Sequence, residues 1–274
     1  MKTLYLTDLD GTLLRPDASL SEYSRDALNR LIERGVIFSF ATARSYNTSV
    51  PLLDGVNLNA PFIVNNGVYI VRKDQNVVCF DGFPKRESRE IFSTFEVHGL
   101  FPIVYSEIEG KNRMSFLRKE SSAAQVEFAL SRKNDRFDPH RVREIFSRSS
   151  ALDGNVYYFT CIGDEEKLRA AYGELKDRFC CYYQRDLYSG EWWLEVLSKT
   201  ASKASAAKRL KSILNCDRLV CFGDGVNDVP LFEIADEGYA VENAVPELKR
   251  IASRVIAGNR EDGVARWLLE HAEI

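Results

Sequence analysis

Four short apolar runs are each followed at once by polar residues rich in acids, amides or hydroxyls. Leu4-Tyr5-Leu6-Thr7 stops at Asp8, Val36-Ile37-Phe38-Ser39-Phe40-Ala41 at Thr42, Phe62-Ile63-Val64 at Asn65, and Leu219-Val220-Cys221-Phe222 at Gly223-Asp224. Runs of this length and apolarity predict strands buried on both faces, as in a parallel sheet. Between the first two the period changes to that of a helix. Ser21 stands as an N-cap, Tyr23, Ala27, Leu28, Leu31 and Ile32 form an apolar stripe, and Gly35 marks the stop. Val68–Val71 and Val77–Phe80 around a polar turn predict a hairpin. Towards the end Ser202 caps a helix over 203–214, Tyr239-Ala240-Val241 is a short strand, and a last helix covers 262–271.

From about Pro84 to Gly190 the pattern differs. Helices are expected over 85–98, 122–132, 139–147 and, capped by Asp164, 164–178. Strands are expected over 101–105, 155–162, 179–184 and 191–196. The fold class that follows is α/β: a doubly wound, Rossmann-like parallel sheet formed by residues 1–83 and 191–274, with an α+β domain inserted over 84–190. Tyr188, Trp192 and Trp193 near the end of the insertion either cover a sugar or, more simply, pack its small core. The charged run over 132–136 reads as a solvated loop.

The chain has 274 residues, 45% hydrophobic and 28% charged, values of a soluble globular protein with room for two domains. The net charge of −3 offers no basic surface for nucleic acid. Six cysteines (79, 161, 180, 181, 216 and 221) lack Cys-x-x-Cys spacing and suit reduced thiols. The chain enters a core strand with no basic-then-apolar leader, and no run spans a bilayer, so a cytoplasmic protein is expected, off the membrane. The three histidines, at 98, 140 and 271, stand outside any motif, which disfavours histidine phosphatases and zinc hydrolases.

The chemistry gathers at the strand ends. Ligands of parallel sheets bind beyond the carboxyl ends of the strands, which is where Asp8 falls. Asp10, two residues on, is expected on the same side by strand alternation, and Gly11-Thr12 turns the chain away. An Asp pair alone is better explained by capping of the strand and binding of its turn; the Gly11-Thr12-Leu13 that follows at the end of a strand shifts the balance to chemistry. Two acids so placed also suit phosphoryl transfer, one attacking phosphorus and the other passing a proton to the leaving oxygen. A carboxylate and a phosphate oxygen about 4 Å apart repel by roughly 4 kcal/mol at an effective dielectric near 20. That chemistry therefore requires a divalent cation and a lysine. Lys203 in the first turn of its helix opposes the helix dipole unless an anion faces it. Asp224 and Asp228 form a second acidic group of the kind a hard cation uses: Asp224 as a direct ligand, and Asp228 either through water or by orienting Asn227. Asp228 stands where a dinucleotide fingerprint has its third glycine. From spacing alone Thr42 caps the next helix. Arg44 faces substrate or the surface, and Asn66 bonds substrate or its own loop.

Asp8-Leu9-Asp10-Gly11-Thr12-Leu13 resembles in full the first motif of the haloacid-dehalogenase-like phosphohydrolases, and Gly223-Asp224-Gly225-Val226-Asn227-Asp228 resembles their fourth. Thr42 and Lys203 match the second and third, Ala41-Thr42-Ala43-Arg44 is similar to the Cof-type subgroup, and Asn243-Ala244 resembles a downstream pair. Ala204 and Thr200 depart from glycines common in that subgroup. The resemblance implies that Asp8 is nucleophile and Mg²⁺ ligand, and that Asp10 is acid/base and gives its carbonyl to the metal. Thr42, Lys203 and Asn227 would then serve the phosphate, Asp224 the metal directly and Asp228 from behind. It further implies that the insertion is a type-IIB cap that sits over the mouth and selects substrate. The expected function is Mg²⁺-dependent hydrolysis of small phosphorylated metabolites, by a monomer or small homo-oligomer. Phosphosugars, nucleotides and cofactor phosphates all remain open. Rivals are a phosphotransferase or mutase on the same scaffold and a non-catalytic phosphometabolite-binding protein.

Overall fold

The structure is a computed structural model that describes residues 1–133, 138, 140–186 and 189–273. The chain divides into two compact units, 1–80 with 202–274, and 81–201.

The first unit opens with β1 (Thr3–Thr7), buried throughout. A single wide turn follows over residues 9–13. α1 (Glu22–Glu33) starts at Ser21, whose Oγ accepts a hydrogen bond from Ser24 N, and it buries Ala27, Leu28 and Leu31. β2 (Ile37–Phe40) and the one-turn α2 (Tyr46–Ser49) come next. β3 (Phe62–Val64), β4 (Tyr69–Val71) and β5 (Val77–Phe80) form a small antiparallel sheet, joined to the end of β2 by a parallel bridge between Ala41 and Ile63.

The second unit contains α3 (Lys85–Val97), β6 (Ile103–Ile108), β7 (Lys111–Phe116), α4 (Ala123–Ser131), β8 (Val142–Glu144), β9 (Asn155–Gly163), α5 (Glu165–Leu175), β10 (Cys180–Arg185) and β11 (Trp192–Leu197). Its six strands lie in the order β10-β11-β9-β6-β7-β8, antiparallel except for β7 with β8. Phe83, Ile91, Phe92, Phe95, Phe159, Phe179, Leu194 and Val196 belong to its core.

Two expectations fail here. The segment expected as a helix over 139–147 carries β8, paired with β7 in the register Met114↔Val142. The helical spacing of its apolar residues is outweighed by pairing with the exposed edge of β7. Arg143 reaches Asp153, Glu144 reaches Arg118, and Ile145 is buried. Pro139 and part of the 132–136 run lie outside the described residues. The return to the core also comes later than residue 191, because β11 pairs with β9 and β10 along its length. Tyr188 lies outside the described residues. Trp192 and Trp193 face opposite sides of β11, as neighbours on a strand do, and each packs within this unit. Trp192 stacks on Tyr183 at 4.8 Å, and Trp193 meets Phe128 edge-on at 4.8 Å.

The first unit resumes with α6 (Lys203–Ile213), β12 (Arg218–Gly223), α7 (Val229–Ile234), β13 (Glu237–Val241), α8 (Pro246–Ile251), β14 (Arg254–Ile256) and α9 (Gly263–His271). The main sheet is five-stranded, all parallel, in the order β14-β13-β12-β1-β2. β1 is thus interior, and each large apolar side chain it and its neighbours bury contributes about 1.5–3 kcal/mol. Trp267 on α9 packs against Phe222 at 5.2 Å and Tyr239 at 4.1 Å, which holds that helix to the sheet. The Asp262 carboxylate accepts hydrogen bonds from Ser21 Oγ (2.6 Å), Ser24 Oγ (3.2 Å) and Arg15 (3.0 Å), tying the start of α9 to the start of α1. Among the described residues, no helix is long and apolar enough to cross a membrane.

Candidate active site

The register of three strands assembles the site. Thr7 on β1 lies between Phe222 on β12 and Phe40 on β2. Asp8, Gly223-Asp224 and Ala41-Thr42 therefore leave the sheet side by side. Asp8 is 6% exposed. Its Oδ1 accepts from the Leu9 amide at 2.7 Å, and its Oδ2 lies 2.8 Å from Lys203 Nζ. The wide turn closes with the Leu14 amide donating to the Leu9 carbonyl at 2.8 Å. Gly11 in that turn has φ +73°, and a Cβ there would stand 2.2 Å from Asp224 Oδ2. Both the left-handed backbone and the close approach require glycine. Thr12 Oγ1 donates to Asp224 Oδ1 at 2.9 Å, Asn243 Nδ2 to the Gly11 carbonyl at 2.7 Å, and Asn259 Nδ2 to the Leu14 carbonyl at 2.8 Å. Asn259 has no mark in the sequence, and Thr12 is legible only as part of the turn, not as the partner of Asp224. They hold the turn through backbone and carboxylate contacts between residues more than 200 positions apart, which no local pattern encodes.

Lys203 is the first residue of α6, behind Ser202, whose Oγ accepts from the Ser205 amide at 3.1 Å. The anions that face its ammonium are protein carboxylates: Asp8 Oδ2 at 2.8 Å and Asp228 Oδ1 at 2.7 Å. Asp228 is fully buried, and its Oδ2 accepts from the amides of Asp224 and Gly225, both at 3.1 Å. Both its oxygens are thus engaged, so it braces Lys203 and the 223–225 turn. Asn227 folds its side-chain oxygen back over Gly225.

One oxygen each of Asp8, Asp224 and Asp228 lies within 4.8 Å of the others. Three carboxylates face one ammonium, an excess of two negative charges when all are ionised. Burial pushes Asp8 up to about 7 even though Lys203 opposes the shift. Burial likewise raises Asp224 to about 6, against the hydrogen bond from Thr12. Burial pulls Lys203 down, but Asp8 and Asp228 outweigh it and the net shift is upward. An all-oxygen donor set with that excess charge fits a hard divalent cation.

On the β2 side, Thr42 is 1% exposed. It does not cap α2, whose N-cap is Ser45. Its Oγ1 instead accepts from the Arg44 amide at 3.1 Å. Asp10 sits in the wide turn rather than on a strand, so alternation does not set its direction, and its side chain is 49% exposed. It meets Arg44 through Nε and Nη2, both at 2.6 Å. Arg44 thus faces an acid of its own chain. Asn66 sits at φ +55° in the turn between β3 and β4, donates its amide to the Thr42 carbonyl at 3.0 Å, and buries a side-chain oxygen without a hydrogen-bond partner among the described residues. Next to it Gly67 (φ +100°) presses on Ser202, where a Cβ would stand 2.2 Å from the carbonyl oxygen. The Asn65–Gly67 turn therefore connects the loop after β2 to the start of α6.

A parallel sheet with clustered acids at the ends of β1 and β12, and a buried lysine between them, defines an α/β protein whose chemistry sits at the carboxyl ends of its strands. The sequence profile of the haloacid dehalogenase-like hydrolases matches residues 5–268, and the chain belongs to that family. It is 26% identical to the 5-amino-6-(5-phospho-D-ribitylamino)uracil phosphatase YwtE of Bacillus subtilis, over 95% of each chain. It is 24% identical to YitU of the same organism, which carries the same enzyme name, over 98% of this chain and 97% of the other. A solved haloacid dehalogenase-like hydrolase from B. subtilis superposes with a TM-score of 0.76 over the whole of both chains at 23% identity.

Proposed function

We propose that this enzyme is a Mg²⁺-dependent phosphatase of small phosphorylated metabolites that works through an aspartyl phosphate on Asp8. The observation that carries this reading is the buried Asp8 carboxylate at the end of β1, paired with Lys203 and set among Asp224 and Asp228. A buried acid with a raised pKa and a specific cationic partner marks a functional group rather than a solvated one. The names of its relatives point the same way.

In the first step an Asp8 oxygen attacks phosphorus as the bond to the leaving oxygen breaks, and Asp10 supplies the proton that oxygen takes up. In the second, water attacks phosphorus, Asp10 accepts its proton, and the bond to Asp8 breaks to release phosphate. Lys203, Thr42 and Asn227 hold the transferring group. Asp8, Asp224 and the Asp10 carbonyl would hold Mg²⁺, with Asp228 bracing from behind. Bound there, Mg²⁺ screens the repulsion between carboxylate and phosphate. The second unit selects the substrate, which we place among sugar phosphates and related phosphate monoesters, phosphoribityl compounds included.

The test is phosphate release from a panel of monoesters, 5-amino-6-(5-phospho-D-ribitylamino)uracil among them, with Mg²⁺ and with chelator. Release without an added acceptor, lost with chelator and in Asp8→Asn, is the expected result. Turnover that survives Asp8→Asn refutes the proposal, and release only when a sugar acceptor is present makes the enzyme a phosphotransferase.

A further inference from the structure

We infer that Arg44 is a positioning residue for Asp10, fixing the carboxyl that passes protons to and from the reacting oxygens; this rests on the function proposed above. Asp10 needs such a device. It lies in the wide turn at φ −68°, ψ 131°, just before left-handed Gly11, with a half-exposed side chain. A proton donor must stand within hydrogen-bond reach of its acceptor, and small misplacements cost large factors in rate.

Arg44 supplies the missing constraint. Its Nε and Nη2 each take one Asp10 oxygen at 2.6 Å, the side-on fork that sets the plane of a carboxylate. The guanidinium is braced in turn: Nη1 donates to the Thr48 carbonyl at 3.4 Å. Its backbone is held on both sides, the amide donating to Thr42 Oγ1 at 3.1 Å and the carbonyl accepting from the Asn65 amide at 2.9 Å. An ordinary exposed ion pair joins two mobile side chains and contributes little. Here one partner is anchored through main chain to the loop after β2 and to the turn that presses on α6. The fork engages both oxygens while the Asp10 side chain stays half-exposed.

The experiment compares kcat/KM for p-nitrophenyl phosphate and for an alkyl phosphate such as glycerol 3-phosphate in Arg44→Met, Arg44→Lys, Asp10→Asn and the Arg44→Met/Asp10→Asn pair. A nitrophenolate departs without a proton, whereas an alkoxide needs one. If Arg44 acts through Asp10, Arg44→Met lowers the alkyl ester by about 10²-fold and the nitrophenyl ester by no more than ~3-fold, within the range of general acid catalysis. Arg44→Lys, which keeps the charge but not the fork, recovers only part of the loss. The double variant loses no more than Asp10→Asn alone, as expected for residues acting as one unit. Equal losses on both esters would assign Arg44 to the phosphate group, and unchanged rates on both would make it a surface ion pair; either overturns the inference. A wild-type enzyme inert on both esters overturns the underlying function instead, and this inference with it.

Discussion

Replacing Lys203 by Met tests the electrostatic core of the site. Lys203 is 3% exposed, and its ammonium holds Asp8 at 2.8 Å and Asp228 at 2.7 Å. Removing one member of a buried ion pair leaves its partner uncompensated and costs about 3–5 kcal/mol. In a chain of this size that lowers the melting temperature by roughly 6–20 °C. The loss depends on pH in a definite direction. Burial already raises Asp8 to about 7, and Lys203 is what restrains it. A carboxyl with a raised pKa favours the folded state at low pH, and the advantage disappears as pH climbs through the raised value. Without Lys203 the shift is larger, so the deficit of Lys203→Met relative to wild type grows from acid to mildly alkaline solution. Urea denaturation in chelator at pH ~5.5 and ~8, with Trp192 and Trp193 changed to Phe so that Trp267 reports on the first unit, measures it. A deficit under about 1 kcal/mol, or one equal at both pH values, refutes the reasoning.

Three further outcomes are expected. The rise in melting temperature on adding Mg²⁺ should increase between pH ~5.5 and ~8, because Asp8 at about 7 and Asp224 at about 6 must both lose their protons to bind a cation; a shift that is flat across this range contradicts the assigned ligands. Gly11→Ala forces a side chain into left-handed backbone at a cost of roughly 1–2 kcal/mol, and it pushes Asp224 aside, so calorimetry should show Mg²⁺ affinity falling more than stability does. Asp262→Ala removes two hydrogen bonds from the start of α1 and one from Arg15 to the start of α9 and should cost about 1–3 kcal/mol near neutrality. Burial opposes the ionised form of Asp262, yet Ser21 and Arg15 hold its pKa below the usual carboxylate value. Its contribution is therefore present above that value and fades in acid, so the wild-type advantage should shrink below pH ~4.

The parts of this molecule legible in its sequence are those with local signatures. Ser21, Asp164 and Ser202 read as N-caps, and each accepts the hydrogen bond from the amide three residues on. The buried runs of β1, β2 and β12 are largely apolar and lead directly into the residues that form the site. β7 and β8 carry no such mark: Lys-Asn-Arg-Met-Ser-Phe and Val-Arg-Glu mix charge with apolar positions, and only pairing makes them strands. In the site, the acidic clusters could be read but not their partners. Asp10 was expected beside Asp8 by alternation, yet the chain has left the strand by then. The Arg44 fork, the hold of Thr12 on Asp224 and the contact of the 65–67 turn with Ser202 all depend on tertiary register.

The interior place of β1 has a consequence for how the protein is made. One neighbour, β2, follows within 40 residues, but the other, β12, begins only at Arg218. On the ribosome the second unit, residues 81–201, is therefore synthesised whole while the strand that bears Asp8 still waits for half of its hydrogen bonds. Pairings between distant segments form late. The nascent chain is thus expected to fold from its middle outward, and the nucleophile to settle into place among the last groups to do so.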